Sequence, residues 1–82
     1  MEMKLMHTEQ VNLVVHIDEE MSDAEIEMLE RELAQQPGVT AACVNDRHRH
    51  LMVVDYDPED ASSMAILSGV QQRGYHAELI GF

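Results

Sequence analysis

The order in which the hydrophobic period changes along this chain constrains its fold more than any other feature. Val11, Leu13, Val15 and Ile17 alternate with Asn12, Val14 and His16, a period of two rich in β-branched residues that predicts a strand over 11–18. The period then lengthens. Ile26, Leu29 and Leu33 recur at spacings of three and four and so share one face of a helix. In front of them Ser22 and Glu25 form an S-x-x-E capping box, with Met21 and Ile26 at the positions of a hydrophobic staple, so the helix is predicted to start at Ser22. It stops before Pro37-Gly38, because a proline disfavours helical geometry in the residue that precedes it.

Val39 to Asn45 reads as a second strand and Leu51 to Tyr56 as a third, joined by the polar turn Asn45-Asp46-Arg47-His48 into a hairpin. Asp57-Pro58 ends the hairpin. Ile66, Leu67 and Val70 then predict a second helix from Ser63 to Arg73, closed by Gly74 as a left-handed cap, and Tyr75 to Ile80 reads as a last strand. Strand, helix, strand, strand, helix, strand is the order of two interleaved right-handed βαβ units. It specifies a ferredoxin-like α+β fold, a four-stranded antiparallel sheet with both helices on one face. In that arrangement the second strand is an edge, the first is central and the third lies between them.

With 82 residues the chain has room for one domain, placed at 11–82 behind a flexible tail at 1–10. No apolar run approaches the roughly 20 residues that cross a bilayer, and the start shows no export signal, so a cytoplasmic protein without membrane insertion is expected. Sixteen acidic residues against five basic ones give a net charge of −11, which repels phosphate backbones and argues against a nucleic-acid partner. A cation or a basic protein surface is compatible with that field. Cys43 is the single cysteine, so no internal disulfide and no two-thiolate site can form within one chain.

Four segments carry a family resemblance: Pro37-Gly38-Val39, Ala42-Cys43-Val44-Asn45, Val54-Asp55-Tyr56-Asp57-Pro58 and Gly74-Tyr75-His76-Ala77. Their order and spacing resemble the heavy-metal-associated domains, over about residues 11 to 80. That family occurs as copper chaperones, as mercury carriers and as amino-terminal modules of metal-pumping ATPases. The resemblance implies a role in metal transport or homeostasis, with a metal-transporting ATPase or another metal-homeostasis protein as partner. The family holds its ion in an M-x-C-x-x-C loop between the first strand and the first helix, where two thiolates clasp a soft ion such as Cu(I). Here that loop is Met21-Ser22-Asp23-Ala24-Glu25-Ile26. Counting from Met21 puts Asp23 and Ile26 at the cysteine positions, and counting back from Pro37 favours Ser22 and Glu25. Neither register holds a cysteine, so the chain reads as a divergent member in which Met21, Ser22, Asp23 and Glu25 occupy the metal-loop region.

Other candidates are weaker. Asp18, Glu19, Glu20, Asp23, Glu25 and Glu27 would suit a hard cation, but carboxylates also gather at a helix start to complement its dipole. His48 and His50 stand at i and i+2, on one side of a strand if it extends that far, and could ligate Zn(II), Ni(II) or Cu(II); Arg47 and Arg49 beside them oppose a cation. His16 and Cys43 should lie two strands apart, about 10 Å, too far to share an ion or act as a catalytic pair. Met1, Met3, Met6 and His7 offer a loose thioether set for Cu(I). No phosphate loop, nucleophile elbow or H-E-x-x-H occurs, so no enzyme is expected.

If Met52, Val54 and Tyr56 face the helices, Leu51 and Val53 join Val14 on the helix-free side and form an apolar patch. Two functional readings result. In the first, the domain acts in metal homeostasis through protein contact or an altered metal site. In the second, it is a regulatory or self-association module of ACT-like type, a homodimer with no metal role.

Overall fold

A computed structural model describes residues 10–80. The chain runs through β1 (Val11–Ile17), α1 (Asp23–Ala34), β2 (Val39–Val44), β3 (Leu51–Tyr56), α2 (Ser63–Gln71) and β4 (Ala77–Ile80). The strands form one sheet in the order β2-β3-β1-β4, every neighbouring pair antiparallel, which is the expected ferredoxin-like arrangement.

Alternation along the strands decides which face is covered. Leu13, Val15 and Ile17 of β1 and Met52, Val54 and Tyr56 of β3 are buried, together with Leu29 and Leu33 of α1 and Ile66, Leu67 and Val70 of α2. Since each fully buried aliphatic contributes about 1.5–3 kcal/mol, this single cluster is the main source of stability. The residues that alternate with them in these two strands, Val14, His16, Val53 and Asp55 among them, project from the face that neither helix covers.

The helix ends follow the sequence closely. Ser22 Oγ accepts from Glu25 N at 3.2 Å and Glu25 Oε1 accepts from Ser22 N at 2.8 Å, the two halves of the capping box, while Met21 and Ile26 pack against the core. Helix α2 ends two residues before the expected Arg73, its last turn tightened by Arg73 N donating to Val70 O at 3.1 Å and Gly74 N to Gln71 O at 2.9 Å. Three strand ends also differ. Asp18 falls outside β1, its N–H donating to His76 O in the α2–β4 connection at 2.9 Å, and Asn45 falls outside β2, its side chain turning the chain by accepting from Arg47 N at 2.8 Å and His48 N at 2.9 Å. Strand β4 starts at Ala77 rather than Tyr75, because His76 N is drawn to a side chain, Glu19 Oε1, at 2.9 Å. The β1–α1, β2–β3 and α2–β4 connections meet at one end of the sheet.

Two glycines with positive φ separate backbone strain from crowding. Gly38, at φ 85°, is so close to the β3–α2 connection that a Cβ would lie 2.7 Å from Ala61 Cβ and 2.9 Å from Asp60 C; at Gly74, φ 96°, a Cβ would meet nothing within 4 Å. Both alanine variants carry the left-handed penalty of about 1–2 kcal/mol, so Gly38→Ala is expected to destabilise more than Gly74→Ala in urea denaturation. Removing the cap by Ser22→Ala is expected to cost about 1 kcal/mol in the same measurement.

Candidate functional site at the β1–α1 loop

The loop between β1 and α1 is held by groups that come from the chain itself. The buried Met21 side chain belongs to the core, and Ser22 and Glu25 are occupied with each other in the capping box. Asp23 Oδ1 lies 2.7 Å from Arg49 Nη2, and the same nitrogen donates to the Met21 carbonyl at 3.1 Å. A guanidinium from the β2–β3 turn thus stands between the loop backbone and Asp23, a carboxylate that the capping box does not use. Asp23 is 89% exposed and Arg49 47%, so the pair contributes well under 1 kcal/mol on its own. Its consequence is positional, since a bound cation would meet an existing positive charge.

His50 fastens the turn to β1. Its backbone carbonyl accepts from Ile17 N at 2.8 Å and its Nδ1 lies 2.7 Å from Ile17 O. A carbonyl can only accept, so Nδ1 carries the proton and Nε2 is left free. The condition for pairing His48 with His50 is not met: β3 begins at Leu51, and the strand alternation that would set both rings on one side does not reach them. The ring of His50 instead stacks on His16, centroids 5.9 Å apart and planes 19° from parallel. Imidazole lone pairs lie in the ring planes, so rings stacked in this way do not aim both nitrogens at one ion. His16 Nδ1 is 3.3 Å from Asp18 Oδ1 without hydrogen-bond geometry and is buried with no partner.

The expected separation of His16 and Cys43 follows from the register. Cys43 is exposed opposite Val53 on β2, His16 is opposite Leu51 on β1, and β3 lies between. Glu27 is exposed on α1 and Glu20 in the loop. Among the described residues no three His, Cys, Asp or Glu side chains gather around a common point. Met1, Met3, Met6 and His7 lie outside the described residues. The His16–His50 stack was absent from the sequence-based candidates, although a β1–β3 register pairing His16 with Leu51 makes His50 its next neighbour.

A second contact closes the same end of the molecule. Glu19 Oε2 is 2.6 Å from His76 Nδ1 and Glu19 Oε1 accepts from His76 N, linking the β1–α1 loop to the α2–β4 connection. The hydrogen bond to Glu19 and its negative charge raise the imidazole pKa above the ordinary 6.5; the His76 side chain and backbone N–H lower that of the carboxyl below 4.5. The His76 contribution is fully present below pH 6.5 and lost as pH rises through its raised value, whereas the Glu19 contribution is present above pH 4.5 and lost as pH falls. The contact is therefore strongest in mildly acid solution. In an NMR titration His76 is expected to show a midpoint above 6.5 that returns toward 6.5 in Glu19→Gln.

No protein-family model matches the sequence, and no curated protein matches it. Solved structures do. The N-terminal domain of a potential copper-translocating P-type ATPase from Bacillus subtilis, in the Cu(I)-loaded state, superposes with a TM-score of 0.78 at 26% identity, over 89% of this chain and 90% of that one. Oxidized MerP from Ralstonia metallidurans CH34 gives 0.77 at 15% identity, over 89% and 100%. The apo copper chaperone of Enterococcus hirae gives 0.74 at 19%, over 83% and 98%. The structural neighbours of this chain are heavy-metal-associated domains, and with them it shares the ferredoxin-like fold.

Proposed function

We propose that this chain serves metal-ion homeostasis as a contact domain, engaging a metal-transporting ATPase or another metal-homeostasis protein in the cytoplasm without carrying the ion between two thiolates. The neighbours' copper-binding and copper-translocating character supports the pathway. One observation carries the altered mechanism. Arg49 Nη2 lies between the Met21 carbonyl and Asp23, so the loop that resembles the family's metal loop is bridged by a fixed cation and offers no cysteine. With Met21 in the core and Ser22 and Glu25 taken up by the capping box, the loop's side chains are already engaged, which suits a recognition surface better than an exchange site. The role is one of binding, and no reaction is assigned to it.

A second reading, the self-associating module with no metal role, is favoured by the apolar side chains on the uncovered face of the sheet, Val14, Leu51 and Val53.

The experiment for the first reading is a competition titration against a chromogenic Cu(I) chelator at neutral pH. The full chain is expected to leave the ion with the chelator, because one thiolate and scattered thioethers do not make a compact site for a soft ion. Stoichiometric capture by the monomer would overturn the contact-only mechanism, and loss of that capture in Cys43→Ser would locate the ligand.

A further inference from the structure

We draw no further inference here: the strongest candidate, the apolar stripe that Cys43, Val53, Val14 and Ile80 form across the uncovered face of the sheet, carries none, because nothing in the structure shows what covers it.

Discussion

Everything in this domain depends on the register of β1 between β3 and β4. Leu13 stands opposite Val54 and Val15 opposite Met52 on one side, and Val15 stands opposite Leu79 on the other. A slip of one residue would turn Leu13, Val15 and Ile17 out of the core and bring Asn12, Val14 and His16 in, exchanging an apolar set for one with two polar members. The helices add to this arrangement without defining it. They cover the side that β1 has already made apolar, α1 over β2 and α2 over β4. The uncovered stripe is the other product of the same alternation.

The loop after β1 shows how the needs of a helix start can take up the side chains around it. A helix start needs partners for its first N–H groups and favours negative charge beside them. Ser22, Asp23 and Glu25 meet those needs, and Arg49 balances the charge from outside the helix. The result is a closed end of the molecule in which every neighbouring connection contributes a contact. Arg49 comes from the β2–β3 turn, His50 from the last residue before β3, and His76 from the α2–β4 connection.

Much of the fold was legible because it is written in local patterns. The capping box at Ser22, the strand Leu51–Tyr56 and the order of elements can be read residue by residue, and they stand as read. The start of β4 could not be read, because a side chain from elsewhere sets it; His76 leaves the last strand to meet Glu19, 57 positions away. The candidate site was legible only as an absence of cysteines. What fills the loop instead depends on Arg49, 26 residues from Asp23, and on a turn whose course no local pattern reveals. The His16–His50 stack was hidden for the same reason, since it needs the β1–β3 pairing before either ring has a neighbour.

The pairing of Ile17 with Ala77 has a consequence for the end of the molecule where the loops meet. It lays the first residue of β4 beside the last residue of β1, so the two connections joined by Glu19 and His76 leave the sheet as neighbours, and one short side chain is enough to span the gap between segments that lie far apart in the sequence.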